Sequence, residues 1–216
     1  MADLLIPGID ISFYKDTERP LINKKLNLIK QTYGNYISNS SKISNVPENI
    51  IYSFIFIESA GNEKAVSPVG ATGLMQIAPI AATDIIVMEH KYGRLNKDEI
   101  SILSKYIDQE RFNKIMSIYT LGSQIITKDD LFYPELNILI GTIYLGLLID
   151  QQVEEGKIRM DKVVIRYNMG YFAYNKGKSL QGDTTALVSS LNKETSNYIT
   201  KLVGTNGLLD IITSNG

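Results

Sequence analysis

The stretch PENIIYSFIFIESAG, residues 47–61, decides the fold class of this chain. Pro47 suits the first turn of a helix and Gly61 suits its end, so the two residues frame the run as a helix. By β-propensity alone the segment IIYSFIFI also reads as a core strand, but this framing favours the helix. Because the run is apolar on nearly every side, we expect the helix to lie at the centre of the core.

Outward from this stretch, helical patterns recur along most of the chain and strand signals are sparse. Apolar spacing or a proline at the start predicts helices over residues 21–37, from Pro79 into the eighties, over 134–152, 160–170 and 184–203, and short ones between 91 and 134. Polar or glycine-rich composition predicts connections at 38–46, 62–73 and 171–183. The expected class is therefore mainly α, with little or no β structure.

Composition narrows the possible functions before any motif is considered. The 216 residues carry 22 basic and 23 acidic side chains, so no net positive charge attracts nucleic acid or an anionic membrane. The absence of cysteine excludes thiolate metal sites and a cysteine nucleophile, and the single His90 excludes multi-histidine metal sites. No apolar run reaches the roughly 18–20 residues that a membrane span needs. We expect no cofactor, metal, nucleic-acid partner or membrane span.

Glu58 is the first candidate for chemistry, because it ends the most apolar helix of the chain just before a glycine-rich loop. Partial burial and the negative end of the helix dipole both disfavour the charged form of a carboxyl at this position. A carboxyl that keeps its proton near neutral pH is what a general acid requires. Taken alone, a carboxyl at this position is more often simply the first solvated residue as the helix leaves the core.

Four further blocks follow Glu58-Ser59 in a fixed order, and each is weak by itself. They are Gly73-Leu74-Met75-Gln76, the helix from Asn137-Ile138 through Gly141 to Tyr144-Leu145, Tyr167-Asn168 followed by Gly170, and Glu194-Thr195 with Tyr198-Ile199. The ordered set is specific, and it covers about residues 45 to 203.

This ordered set resembles the soluble lytic transglycosylase family, the lysozyme-like enzymes that cleave bacterial peptidoglycan. The resemblance implies a helical lysozyme-like domain with a glycan-binding cleft. It also implies that Glu58 protonates the β-1,4 bond between N-acetylmuramic acid and N-acetylglucosamine and then acts as a base. In that family the substrate's acetamido group assists, and a 1,6-anhydro product forms without water.

The same resemblance implies which other residues meet the glycan. They are Ser59, Gly73, Leu74, Met75, Gln76, Tyr167, Asn168 and Tyr198. Met75 has a second interpretation, because a methionine on an apolar face is more often a core residue than a ligand contact.

Three departures from the family pattern affect the expected domain organisation. Residues 77–136 are longer than the family leads us to expect, which predicts an enlarged helical insertion within a catalytic domain of residues 46–216. Residues 1–45 match no motif and are expected to form an extension that packs on or links to this domain. A second Ala-Tyr-Asn, at residues 173–175, competes with Tyr167-Asn168, where Arg166 also replaces the usual alanine.

Two other functions compete with the transglycosylase. One is a lysozyme-type muramidase on the same fold, in which Glu63 or Asp84 activates water. The other is a non-catalytic lysozyme-fold virion or glycan-binding protein, although an intact Glu58 argues against it. No export signal is readable at the start of the sequence. This favours a phage setting, either in the virion with residues 1–45 attached to a partner protein or as an endolysin, with action at the cell wall.

Overall fold

The computed structural model describes residues 12–169 and 192–214, together with the backbone of residues 3–5. The described residues form nine α-helices: α1 Arg19–Ser44, α2 Glu48–Ser59, α3 Pro79–Lys91, α4 Lys97–Tyr106, α5 Gln109–Ser117, α6 Pro134–Asp150, α7 Met160–Met169, α8 Lys193–Val203 and α9 Leu208–Thr213. They also form three short strands: β1 Asp3–Leu5, β2 Val153–Glu154 and β3 Lys157–Arg159. The prediction of a mainly α chain is confirmed.

The chain divides into two compact units, residues 25–144 and residues 1–24 together with 145–216. The predicted division at residue 45 comes directly after the end of α1 at Ser44 and stays a prediction. In the second unit β3 is the central strand, parallel to β1 and antiparallel to β2. The short segment of residues 3–5 is thus paired with residues 157–159.

Helix α2 lies in the core of the first unit, as expected from its apolar composition. Ile50, Ile51, Phe54 and Ile55 have no solvent exposure. The helix ends at Ala60, whose backbone is left-handed with φ 51° and whose N–H donates to the carbonyl of Phe56. The predicted stop before Gly61 is confirmed, whereas Pro47, expected in the first turn, is the N-cap residue with ψ 137° and the helix begins at Glu48.

One helix boundary differs from the sequence prediction. Residues 38–44 continue α1 instead of forming the connection expected at 38–46, and Ile37 before that segment and Ser40 within it are both buried. Helix α8 is described from Lys193, and the Asn192 side chain caps it by accepting a hydrogen bond from the backbone N–H of Thr195. The predicted helix start at residue 184 or 185 lies outside the described residues. The predicted loop at 171–183 lies outside the described residues.

Residues 77–136 contain α3, α4 and α5, in agreement with the expectation of short helices in this region. Arg111 on α5 binds Asp130, which begins a 3₁₀ turn at residues 130–132. The Asp130 carboxylate also accepts hydrogen bonds of 2.7 Å from the backbone N–H and the hydroxyl of Thr127. Although burial by itself raises the pKa of Asp130, its hydrogen bonds with Arg111 and Thr127 outweigh that effect and lower it.

We expect Asp130→Asn to lower the free energy of unfolding by about 2 kcal/mol at neutral pH, because hydrogen bonds to a charged group are lost. The folded pKa of Asp130 lies below its ordinary value of 3.8, so the contribution is present above that value and is lost as the pH falls through the folded pKa. The measurement is urea unfolding of both proteins from neutral pH to about pH 3. The difference should shrink at the acid end, and a constant difference would contradict this account.

Candidate active site

Glu58 is the penultimate residue of α2 and is half-buried. The left-handed Ala60 and Gly61, with φ 83°, turn the chain sharply away from the helix directly after it. The side chain therefore sits where the central helix leaves the core, as the sequence predicted.

Ser59 joins the end of α2 to the loop that follows. Its hydroxyl lies 2.8 Å from the carbonyl oxygen of Leu74 and 3.2 Å from that of Ile55, and it accepts a hydrogen bond from the N–H of Gly61. Through these hydrogen bonds to backbone groups, Ser59 connects the end of α2, directly after Glu58, to the loop at Leu74.

The segment of residues 65–77 is closed on itself by backbone hydrogen bonds. The N–H of Gly73 donates to the carbonyl of Ala65, and Thr72 and Ile77 exchange two hydrogen bonds. Gln76 adopts a left-handed φ of 49°, and its side-chain N–H group donates to the carbonyls of Gly73 and Ala65 at 2.9 and 3.1 Å. The amide of Gln76 therefore stabilises the turn, and its side chain keeps partial exposure.

Asn137, near the start of α6, fixes this loop through side-chain hydrogen bonds to the backbone. The residue has no solvent exposure. Its side-chain nitrogen donates to the carbonyls of Thr72 and Leu131, both at 2.9 Å, and its side-chain oxygen accepts from the N–H of Met75 at 2.8 Å. The sequence placed Asn137 in a motif but assigned it no role, because two of its three partners, Met75 and Thr72, are 62 and 65 residues away in the chain.

The side chains of Leu74 and Met75 point into the core, and both are fully buried. Met75 packs against Gly141 of α6 so closely that a β-carbon at Gly141 would lie 2.8 Å from the β-carbon of Met75. The core interpretation that the sequence allowed for Met75 fits this burial. Gly73 is constrained in the same way, because it has φ 79° and a β-carbon there would lie 2.5 Å from the carbonyl oxygen of Leu131.

We expect Gly141→Ala to destabilise the protein by about 1–3 kcal/mol, because the added methyl group overpacks the contact between α6 and Met75. Gly34→Ala is the matched control. It also lies within a helix, α1, but its β-carbon would meet the hydroxyl of Tyr52 only at 3.4 Å. Because alanine favours helix, the control should be neutral or stabilising by up to about 1 kcal/mol. Thermal unfolding of both variants tests this pair, and equal effects would contradict it.

Tyr33 on α1 contacts the same loop, a contact that the sequence analysis missed because no motif marks it. The hydroxyl of Tyr33 donates to the carboxylate of Glu63 at 3.2 Å and lies 3.4 Å from the carbonyl of Gly61. Burial and the nearby negative charge of Glu63 raise the pKa of Tyr33 to about 12. Its hydroxyl is therefore a hydrogen-bond donor throughout the neutral range.

The two carboxylates suspected of activating water both have structural partners. Glu63 accepts the hydrogen bond from Tyr33. Asp84 is buried in α3 and accepts a hydrogen bond of 2.8 Å from the N–H of Gly122. Burial raises the pKa of Asp84, and the bond from Gly122 opposes that effect. Neighbouring Thr83 accepts from the N–H groups of Ile125 and Ile126, so both α3 side chains hold the 122–126 segment.

The other expected site residues belong to the unit of residues 1–24 and 145–216. Tyr167 on α7 is buried, with 7% of its surface exposed, and Tyr198 on α8 is half-buried. The side-chain oxygen of Asn168 accepts a hydrogen bond from the Thr195 hydroxyl at 3.0 Å and so joins α7 to α8. The second Ala-Tyr-Asn, at residues 173–175, lies outside the described residues.

Two kinds of site are not found in the parts of the chain that the structure describes. No group of three or more histidine or acidic side chains there is arranged to hold a metal ion. Among the same residues, no helix combines the length and the apolar character needed to cross a membrane.

Comparison with known proteins gives three findings. Residues 35–104 match the sequence model of the transglycosylase SLT domain family. The chain is 30% identical over 156 residues to the membrane-bound lytic murein transglycosylase E of Buchnera aphidicola subsp. Baizongia pistaciae. That alignment covers 71% of this chain and 58% of the relative. The chain therefore spans little more than half of the length of this relative.

The third finding concerns the fold. The structure is similar to that of an inactive mutant of the lytic transglycosylase Slt from Pseudomonas aeruginosa, with a TM-score of 0.52 and 18% identity. The similarity covers 87% of this chain and 24% of the Slt chain. The lysozyme-like lytic transglycosylase fold expected from the sequence motifs is thus confirmed, and residues 35–104 match the model of the transglycosylase SLT domain.

Proposed function

We propose that this protein is a peptidoglycan lytic transglycosylase that cleaves the β-1,4 bond between N-acetylmuramic acid and N-acetylglucosamine. The observation that carries the proposal is the position of Glu58, half-buried at the end of the central helix and followed by a loop fixed by Ser59 and Asn137. A carboxyl held on rigid elements at the edge of a core is suited to proton transfer.

The proposed reaction uses one carboxyl twice. Protonated Glu58 gives its proton to the bridging oxygen, the bond from that oxygen to C1 of the muramic acid breaks, and the N-acetylglucosamine leaves with a free hydroxyl. The acetamido group of the muramic acid stabilises the positive charge at C1. The Glu58 carboxylate then takes the proton of the C6 hydroxyl, whose oxygen bonds to C1, so the product is a 1,6-anhydro sugar and the enzyme is protonated again.

The positions of the other acids support a reaction without a second carboxylate. A glycosidase that activates water, or forms a covalent intermediate, needs a second acid beside the scissile bond. Glu63 and Asp84, the two acids suspected of this role, are held by Tyr33 and by the backbone of Gly122. Assistance by the substrate's own acetamido group removes the need for either.

The remaining site residues divide into two roles in this proposal. Ser59, Gly73, Leu74 and Met75 shape the loop beside Glu58, since their hydroxyl, backbone or buried side chains contact the protein itself. Gln76, Asn168 and Tyr198 retain partial exposure, so they are the residues proposed to contact the glycan, whereas Tyr167 is buried in its own unit.

Digestion of purified peptidoglycan and mass spectrometry of the released muropeptides tests the proposal. A transglycosylase releases products that are one water lighter than those of a hydrolase and that have no reducing end. Reducing-end products would instead assign a lysozyme-type muramidase. Release of nothing from several kinds of wall would favour a non-catalytic glycan-binding role.

The phage setting expected from the sequence remains a prediction. We propose that the protein reaches the wall as part of a virion, with residues 1–45 as the attachment segment, or by release during lysis. Mass spectrometry of purified particles distinguishes the two routes, because only a virion component co-purifies at a fixed ratio to the capsid protein.

A further inference from the structure

The turn that follows Glu58 has an uncommon backbone conformation. Ala60 and Gly61 are both left-handed, with φ 51° and 83°, and the β-carbon of Ala60 makes this conformation unfavourable. The N–H of Asn62 closes the turn by donating to the carbonyl of Ser59 at 3.0 Å. A turn of this kind keeps its shape only where the surrounding structure enforces it, so its contacts decide how the end of α2 is held.

Helix α1 supplies such contacts from one of its faces. Ile29 and Tyr33 are four residues apart, so their side chains are neighbours on the helix surface. Ile29 is buried and lies so close to the turn that a β-carbon at Gly61 would be 2.9 Å from its Cγ1 atom. The hydroxyl of Tyr33 lies 3.4 Å from the carbonyl oxygen of Gly61 and donates to the carboxylate of Glu63 at 3.2 Å. One face of α1 therefore holds the turn through both packing and hydrogen bonding.

The hydrogen bond between Tyr33 and Glu63 is largely shielded from water. Tyr33 has 8% of its surface exposed, and Glu63 is half-buried. A hydrogen bond to a carboxylate is stronger than one between neutral groups, and water competes with it less where the partners are buried. Loss of the Tyr33 hydroxyl should therefore release the Glu63 side chain and loosen the turn.

No sequence motif marks this face of α1. The segment that matches the transglycosylase SLT domain begins at residue 35, so Ile29 and Tyr33 lie before it. Both residues and the turn belong to the compact unit of residues 25–144. The helix that the sequence analysis assigned to an N-terminal extension thus contacts the turn directly after Glu58.

We propose that Tyr33 is a positioning residue for Glu58 and that it acts through the turn at residues 60–63. This inference rests on the proposed function and adds to it a residue that no motif contains. Glu58 lies two residues before the turn begins, so a change in the direction of the turn moves its carboxyl relative to the glycosidic bond. Such a displacement slows proton transfer, because the reaction depends on the placement of the acid.

The test compares Tyr33→Phe with Tyr52→Phe on purified peptidoglycan. Tyr52 is the matched control, because it also has 8% of its surface exposed and lies in the same unit, on α2, with its hydroxyl against Gly34. Tyr33→Phe should lower kcat for 1,6-anhydro products roughly tenfold and leave KM unchanged, since the ring stays and only the hydroxyl is lost. Tyr52→Phe should change kcat by less than about twofold.

Two variants of Glu63 test the route from Tyr33 to the turn. Glu63→Gln keeps an oxygen that accepts from the Tyr33 hydroxyl, so it should retain most of the activity, whereas Glu63→Ala should lose as much as Tyr33→Phe. Combining Tyr33→Phe with Glu63→Ala should cost no more than either change alone, because the two residues act as one unit. Losses that multiply would overturn the proposal. An inactive Glu63→Gln would also overturn it, because Glu63 would then take part in the chemistry itself.

The remaining outcomes separate this proposal from the proposed function. Equal kcat values for the two tyrosine variants, or a change in KM alone, overturn the positioning role and leave the activity intact. If the unaltered protein releases no 1,6-anhydro product, the proposed activity fails instead. ¹³C NMR of the Glu58 carboxyl then tests Tyr33 without turnover. A signal that moves in Tyr33→Phe but not in Tyr52→Phe supports the positioning role, and any other result refutes it.

Discussion

Glu58→Gln is expected to reduce the release of 1,6-anhydro products from peptidoglycan by at least about 10³-fold, without loss of the fold. A glutamine has nearly the same shape, but it can neither donate the proton to the bridging oxygen nor remove the proton from the C6 hydroxyl. Both steps of the proposed reaction depend on this single carboxyl, so the loss should lie at the upper end of the range for general acid–base catalysis. The measurement is product release under initial-rate conditions, followed by mass spectrometry.

Glu48→Gln is the matched control for this experiment. Glu48 lies at the other end of the same helix and is also half-buried, but it is at the N-terminus, where a negative charge stabilises the helix dipole. The control should keep its activity and lose about 0.3–1 kcal/mol of stability. Equal losses of activity in the two variants would point to damage to α2 and would remove the argument for Glu58 as the acid.

Asn137→Ala is expected to lower the free energy of unfolding by about 3–5 kcal/mol, the largest effect on stability that we predict for this protein. The substitution removes three hydrogen bonds from a site with no solvent exposure. The Thr72 carbonyl keeps its hydrogen bond from the N–H of Ile77, but the carbonyl of Leu131 and the N–H of Met75 each lose the bond to this side chain, and losing the partner of a buried polar group costs about 1–3 kcal/mol. Urea unfolding measures the loss directly.

Asn62→Ala is the control for the asparagine. It lies in the same compact unit, but it is exposed, and its side-chain oxygen accepts one hydrogen bond, from the N–H of Lys64. A loss of no more than about 1 kcal/mol is expected there. Asn137→Asp extends the test, because it keeps the acceptor for Met75 but turns an oxygen toward two carbonyls, so it should not recover the stability. If Asn137→Ala is tolerated as well as the control, the loop does not depend on this residue.

Activity gives a second readout for Asn137. At temperatures well below the unfolding midpoint, a folded Asn137→Ala protein should still turn over more slowly, because the 72–76 turn is no longer fixed beside the end of α2. A variant that is unstable but fully active when folded would show that Asn137 serves stability alone.

The sequence by itself determined the helical class and the position of Glu58. The run at residues 50–57 is apolar on nearly every face, and Pro47 and Gly61 frame it, so the burial and the approximate ends of the helix follow from local chemistry. The same is true of α6 and α7, which begin and end close to the predicted residues. Glu58 follows directly, since a carboxyl at the end of such a helix has to lie at the edge of the core.

Only the tertiary structure decided which residues hold the loop in place. Tyr33 meets Glu63 across 30 residues and Asn137 meets Met75 across 62, and no local pattern records either contact. The extension of α1 to Ser44 has the same origin, since a polar, Ser/Asn-rich segment becomes helical where Ser40 is buried. Local propensity determines where a helix can begin and end. The hydrogen-bond partners of buried polar groups depend instead on how distant segments of the chain pack together.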